Sequence, residues 1–182
     1  MMINRQKAID LIASAPHFSK EILRALKFSY GGVVDSSVEQ LKAEIDDYDV
    51  VDVSLRCGDL TVNGLLEDAI NDHSLLIVLG DLAAHDAIFA GEVFVTGNVT
   101  ISGALICGSM GDYTLYVGGD LSVDEFVVVD HNVKVLGKTT YNNYFARGGD
   151  SDWLAEVYLD EDDEPLWSEI TDAVREGVRV FE

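Results

Sequence analysis

The sequence predicts a mainly β protein, a parallel β-helix (solenoid) with N-terminal and C-terminal helical caps. Three observations predict it. A short phrase beginning with Gly-Asp or Gly-Asn recurs in the middle of the chain, apolar and polar residues alternate within each phrase, and both flanking segments have helical spacing. We expect a helical cap over residues 1–47, the solenoid over 48–147, and an acidic segment with a C-terminal helix over 148–182.

The recurring phrase starts at Gly58, Gly80, Gly97 and Gly119, at intervals of 22, 17 and 22 residues. Alternate residues of such a strand point to opposite sides, so a single phrase cannot enclose its own apolar row. Stacked phrases bury one continuous core, which is the principle of a repeat protein. A β-sandwich of hairpins is the alternative, because Val-Asn-Gly-Leu also suits a hairpin turn. The near-constant interval favours the solenoid.

Helical spacing appears on both sides of the repeat. Before it, Asn4 and Ser19 can cap two helices, and a third helix is predicted over residues 36–45. After it, Pro165 suits the first position of a helix. We expect this last helix to cover the open end of the solenoid, whose final coil would otherwise expose unpaired backbone and apolar side chains.

The phrase Gly-Asp/Asn-Leu/Val-x-Val/Ile-x-Gly-x-Leu resembles the repeats of polymer-forming, bactofilin-like β-helix proteins. The resemblance covers about half of the chain and implies a solenoid. Members of that group polymerise end to end between uncapped coils. This chain departs from them because predicted helices flank its solenoid on both sides, which argues against filaments. By type, as a small acidic solenoid, it is also similar to the immunity proteins of bacterial polymorphic toxin systems.

Charge is the strongest bulk signal, since 33 acidic residues against 12 basic ones give a net charge of −21. No Lys or Arg occurs from Cys57 through Val133. Such a field repels nucleic acid and anionic membranes, and it attracts basic proteins. No apolar run is long enough to cross a bilayer, and we recognise no secretion signal. We therefore expect a cytoplasmic protein with two free thiols, Cys57 and Cys107.

The acidic segment from Asp150 to Glu164 is the candidate partner-binding site. It combines aromatic side chains, which are common anchors of protein interfaces, with negative charge that accelerates encounter with a basic partner. The alternative is a solvated loop whose aromatic residues dock on the end of the solenoid. The candidate contact residues are Trp153, Tyr158, Asp160, Glu161, Asp162, Asp163 and Glu164.

We expect no catalytic residues, no cofactor and no metal site. His85, followed by Asp86, lies in phase with a six-residue repeat in the sequence. Hexapeptide-repeat acyltransferases use a histidine as general base, but few regular hexads are present here. If the coils stack in register, the residues after the repeat glycines form a ladder with a spacing of about 5 Å. We interpret this ladder as structural, with calcium binding as the alternative. Its members are Asp59, Asp81, Asn98 and Asp120.

Taken together, these observations favour a protein-binding solenoid. The most specific hypothesis is an immunity protein that neutralises a bacterial toxin by direct binding, and the partner is expected to be a basic protein rather than nucleic acid or membrane. The alternative is a structural scaffold that self-associates, and a hexapeptide-like acyltransferase is less favoured.

Overall fold

The chain folds into a parallel β-solenoid of about five turns, as a computed structural model shows. The structure describes all residues except 29–37, 51–52, 69–73, 110–112, 148–157, 160–164 and 182. The described helices are α1 (Arg5–Ala13), α2 (Ser19–Phe28) and α3 (Trp167–Arg175). The described strands are β1 (Met2–Ile3), β2 (Val38–Gln40), β3 (Glu44–Ile45), β4 (Tyr48–Asp49), β5 (Val53–Arg56), β6 (Leu60–Glu67), β7 (Leu75–Val78), β8 (Leu82–Phe89), β9 (Glu92–Val95), β10 (Val99–Gly108), β11 (Thr114–Val117), β12 (Leu121–Val129), β13 (Asn132–Val135) and β14 (Thr139–Ala146).

Most coils consist of one short strand followed by one long strand. The short strands stack in the order β1-β2-β5-β7-β9-β11-β13, and the long strands stack in the order β14-β12-β10-β8-β6-β3. All described pairs are parallel except β1 with β2. The predicted solenoid is therefore confirmed, and the sandwich of hairpins is wrong, because hairpins pair their strands antiparallel.

Three faces surround the core. Face A consists of the short strands. The register between long strands shifts near their middle, at Val62/Leu65 and again at Ile101/Ala104, so each long strand is divided into two segments. The first segments form face B (residues 60–62, 82–84, 99–101, 121–123 and 139–141), and the second segments form face C (residues 65–67, 87–89, 105–107, 126–128 and 144–146). Rows of inward side chains, such as Leu82, Val99 and Leu121, fill the space between the faces.

The helices cover two sides of the solenoid. In the first cluster, Ile12 of α1 and Ile22 of α2 are fully buried together with the outward residues Leu75 and Ile77 of face A. The apolar stripe of α3 packs in the same way against outward residues of face C, such as Ile106. The predicted C-terminal helix is present, but it lies along the flank. The reason is that face C is apolar on its outside as well as on its inside, so it needs a cover of its own.

The third predicted helix, over residues 36–45, is wrong. Its described part contains strands β2 and β3, which pair with β5 and β6 and belong to the first coil. Val38 and Leu41 do share the spacing of a helix face, but Val38 is buried in the cluster with α1 and α2, whereas Leu41 is buried in the inner core. Pairing with the neighbouring coil overrides local spacing here, as tertiary context commonly does in strands.

A hydrogen bond from each coil to the next fixes the corner between faces A and B. At this corner a side-chain oxygen accepts the backbone N–H of the equivalent residue one coil later. The bonds run from Asp81 N to Asp59 Oδ1 (2.9 Å), Asn98 N to Asp81 Oδ1 (2.7 Å), Asp120 N to Asn98 Oδ1 (2.9 Å) and Lys138 N to Asp120 Oδ1 (2.8 Å). The predicted ladder is thus present, and its oxygens are engaged in holding the coils together.

The repeat glycines are required by this corner. A Cβ atom on Gly97 would lie 2.1 Å from Asp81 Oδ1 and 2.8 Å from the carbonyl oxygen of Gly80. Such distances are far inside van der Waals contact, so a side chain would break the bond to the next coil. The same oxygen that orders the stack therefore explains why glycine recurs in the sequence.

A second carboxylate closes the corner between face C and the following short strand. Asp68 is fully buried and accepts hydrogen bonds from the backbone N–H groups of Ala90 and Gly91 and from the hydroxyl of Ser74, the last two at 3.1 Å. Burial raises the pKa of Asp68 from its ordinary 3.8 to about 7, because desolvation of the charged form outweighs the three donors.

The corner bond predicts different stabilities for two substitutions of Asp81. Asp81→Ala leaves the N–H of Asn98 without its acceptor and should lower the free energy of unfolding by about 1 kcal/mol. Asp81→Asn should retain most of it, because Asn98 performs the same role one coil later. Urea unfolding of the two variants measures the difference, and equal losses would contradict the assigned role of the oxygen.

Asp68 predicts a pH dependence of stability. Since its folded-state pKa lies above its ordinary value, the folded protein binds the proton more tightly than the unfolded chain does. Its contribution to stability is fully present below pH about 4 and is lost as the pH rises to about 7. Asp68→Asn should remove this part of the profile, as urea unfolding across the same range would show. Thr61→Ala, at an exposed position and without change of an ionisable group, is the control and should leave that profile unchanged.

Candidate functional site

Face B is the side of the solenoid that neither α1 and α2 nor α3 covers in the described structure. The apolar clusters beneath the helices contain outward residues of faces A and C, whereas the face B strands contribute to the inner core. The outward positions of face B are small and polar, and most of them are exposed. We take this uncovered face as the candidate surface for contact with another molecule.

Two rows of side chains run along face B. Residues of the first row are directly opposite one another from coil to coil, and the second row lies two residues further along each strand. We call these ten residues the bare face. They are Thr61, Ala83, Thr100, Ser122 and Thr140 in the first row, and Asn63, His85, Ser102, Asp124 and Asn142 in the second.

Hydrogen bonds between coils hold the second row in place. His85 Nδ1 and Ser102 Oγ are 2.9 Å apart, and the amide of Asn142 donates to Asp124 Oδ1 at 2.6 Å. Between the two rows, over the last three coils, lies an open depression of about 420 Å³ lined mainly by hydroxyl, carboxylate and amide groups. The bare face is therefore an ordered array of hydrogen-bonding groups on a rigid support.

Carboxylates outnumber cations beside the bare face. Asp59, Asp81 and Asp120 line the corner beside the first row, and Asp124 lies within the second row. The cations beside them among the described residues are Lys138, at the end of the corner row, and Arg179, which pairs with Asp124. Charge of one sign over a surface attracts ligands of the opposite sign and raises their association rate. This arrangement suits a basic ligand.

His85, Ser102 and Asp86 are close together but do not form a connected catalytic relay. The nearest oxygen of Asp86 is 3.8 Å from His85 Nε2, and its other oxygen accepts the N–H of Ala104 at 2.8 Å. The His85 side chain is 59% exposed, so its ring is solvated.

Metal-binding groupings are absent from the part of the chain that the structure describes, where no three His, Cys, Asp or Glu side chains converge. Within the same residues Cys57 and Cys107 are free thiols. The described helices include none that is both long and apolar enough to cross a membrane.

Two arginines of the C-terminal segment hold it to the solenoid. Arg175 makes a two-pronged contact with the buried carboxylate of Glu67 on β6. Arg179 pairs with Glu125 on β12, whose second oxygen accepts the N–H of Val180 at 3.0 Å. Bidentate and charge-assisted contacts of this kind orient the groups they join. Residues that are 108 and 54 positions apart cannot be matched from one sequence alone, so sequence reasoning missed both pairs.

The candidate contact residues of the acidic segment are mostly outside the described residues. Trp153 and all five acidic residues, Asp160, Glu161, Asp162, Asp163 and Glu164, fall there, and their role stays a prediction. Tyr158 is described and is only 9% exposed, packed in the cluster that contains Ile170 and Phe181. Its ring therefore helps to attach the C-terminal segment to face C, which agrees with the docked-aromatic alternative rather than with an exposed anchor.

The bare face also escaped sequence reasoning, although a signal was present. In each phrase the residue between the first two apolar positions is small and mostly polar, as at Thr61, Thr100 and Ser122. The alternation identifies these positions as outward. What it does not show is which outward surface the helices leave uncovered.

Comparison with known proteins gives one match. A family model described as "Putative Ice-binding-like adhesive domain" matches residues 68–175, more than half of the chain, and the matched region contains most of the solenoid and α3. No curated protein and no solved structure matches the chain.

Proposed function

Because the chain belongs to the family of ice-binding-like adhesive domains, we propose that it is a binding module that attaches to a partner protein through the bare face. The observation that carries this proposal is which faces of the solenoid the helices cover. Faces A and C are apolar outside and are packed under helices, whereas the third face is polar, ordered and uncovered in the described structure. The two rows offer hydroxyl, amide and carboxylate groups at fixed spacing, which supports recognition by hydrogen bonding.

The partner is a basic protein. The bare face is flanked by a ladder of carboxylates and belongs to a chain with a net charge of −21. Complementary charge speeds association and disfavours acidic competitors, including nucleic acid. Electrostatic attraction of this kind weakens with salt, because the screening length falls to about 8 Å at physiological ionic strength.

An antidote to a bacterial toxin is the most specific form of this proposal. A toxin that cleaves nucleic acid carries a basic cleft to bind phosphate, so an acidic module is a suitable partner for it. The strong acidity of the chain supports this form. Protection of cells that express the partner would distinguish an antidote from an adhesive module.

Ice is a ligand that the family description mentions, and the bare face suits it less well than it suits a protein. A surface that orders water needs an uninterrupted array of similar groups. Here Ala83 interrupts the first row, and His85 and Asp124 place ionisable groups in the second. These ionisable and amide groups can instead pair with charged and polar side chains of a protein.

Self-association into a scaffold is the second candidate, and one observation favours it. In the described structure β13 and β14 are edge strands of the two sheets, and Tyr141 in this last coil is 47% exposed. Strand edges with exposed apolar side chains can pair with another chain. The edge strand β14 also contributes Thr140 and Asn142 to the bare face, so the two candidates are separated by substitutions on the interior strands β10 and β12.

Lysines on the bare face should abolish binding. Thr100→Lys with Ser122→Lys puts two positive charges in the first row and should weaken binding of a basic partner at least tenfold or so by like-charge repulsion. The partner is recovered with the wild-type chain as bait, purified, and measured by surface plasmon resonance at several salt concentrations. Asn132→Lys with Ser168→Lys is the matched control, because it makes the same charge change at exposed positions outside the bare face.

The control should bind like the wild-type chain. Equal weakening in the two double variants would mean that only net charge matters and that the bare face is not the docking surface. Concentration-dependent assembly of the wild-type chain without any partner, seen by light scattering, would favour the scaffold instead.

A further inference from the structure

A cation of the chain's own C-terminal segment lies at the edge of the bare face. Arg179 donates through Nε to the carboxylate of Glu125, and one of its terminal nitrogens is 2.9 Å from Asp124 Oδ2. The Arg179 side chain is 64% exposed, while that of Glu125 is 3% exposed. Of the two carboxylates that Arg179 contacts, that of Glu125 is therefore buried and that of Asp124 is the more accessible one.

Asp124 belongs to two neighbouring surfaces at once. Its Oδ1 accepts the amide of Asn142 in the second row of the bare face, whereas its Oδ2 faces Arg179. The residue also lines both the depression between the rows and a smaller cleft of about 190 Å³ between the bare face and the C-terminal turn. Asp86 and Ser102 line the same cleft, together with Arg179 itself and the apolar side chains of Val174 and Val178.

We propose that Arg179 competes with the partner for Asp124. In the free protein its guanidinium pairs with the Asp124 carboxylate, and on docking a basic side chain of the partner takes its place. The inference rests on the proposed function. The structure indicates the chemistry of the competing group, because a guanidinium is the ligand that this carboxylate already holds. An exposed pair of this kind is weak enough to exchange with another cation.

Arg175 makes the inference testable, because it is a matched arginine on the same segment. It also pairs with a buried glutamate, but Glu67 is on face C, away from the bare face. Replacing either arginine by alanine changes the net charge by the same amount and removes the pairing of the C-terminal segment with one buried glutamate of the solenoid. The two variants differ in whether a carboxylate of the bare face is released.

The experiment uses an octalysine peptide as the basic probe and carbodiimide coupling to join its amines to nearby carboxylates. Arg179→Ala should raise the yield of peptide cross-links at Asp124 about two- to fivefold over the wild-type chain, as expected for removal of one exposed pair. Arg175→Ala should leave that yield unchanged. Mass spectrometry maps and quantifies the cross-linked sites, with sites at Asp59 as the internal reference.

A double variant tests whether loosening of the C-terminal segment, rather than release of Asp124, causes the rise in cross-linking. Arg179→Ala with Glu125→Gln removes the buried unpaired charge but keeps an acceptor for the N–H of Val180, and it should show the same rise at Asp124. An equal rise in Arg175→Ala, or no rise in either Arg179 variant, overturns the competitor role. Either result leaves the proposed function standing if lysines on the bare face still abolish partner binding, since that test does not involve Arg179.

Discussion

The hydrogen bond at the corner between faces A and B is the constraint on which the rest of the structure depends. A carboxylate or amide oxygen of one coil accepts the N–H of the next, from Asp59 through Lys138, and glycine beside it lets the two backbones approach. This bond fixes the register of every coil against its neighbour. Because a slip of one residue would turn each inward side chain outward, the same bond decides which residues enter the core and which reach the surface.

Once the register is fixed, the three faces present different side chains on their outer sides. Outward residues of faces A and C are apolar, so these faces stay in water only at a cost, and the terminal helices bury them. Face B carries small polar groups outside and can remain in contact with solvent. The candidate site therefore follows from the outer sides of the faces. All three faces contribute inward side chains to one core, but their outer sides differ in polarity.

The repeat could be predicted from the sequence, because its signal is local. Glycine, an Asx residue and alternating apolar positions recur within a few residues, and they indicate stacked strands without knowledge of any distant contact. The placement of α3 could not be predicted, because it depends on outward residues of face C and on the pairing of Arg175 with Glu67. The helix predicted over residues 36–45 failed for a related reason, since the pairing partner of β2 lies in the next coil. Tyr158 was predicted to contact a partner, and in the structure its ring is buried in the cluster with Ile170 and Phe181.

The two arginine contacts have a consequence for how the molecule unfolds. Corner hydrogen bonds connect only adjacent coils, so a solenoid held by them alone would behave as a linear array in which stability is summed from neighbour to neighbour and the ends open first. Arg175 is the last residue of α3 and Arg179 lies four residues further on, and they contact Glu67 on β6 and Glu125 on β12 with two coils between them. A tie between non-adjacent coils couples their opening. The C-terminal segment thus changes a one-dimensional array into a cooperative unit, in which the coils from β6 to β12 are expected to melt together.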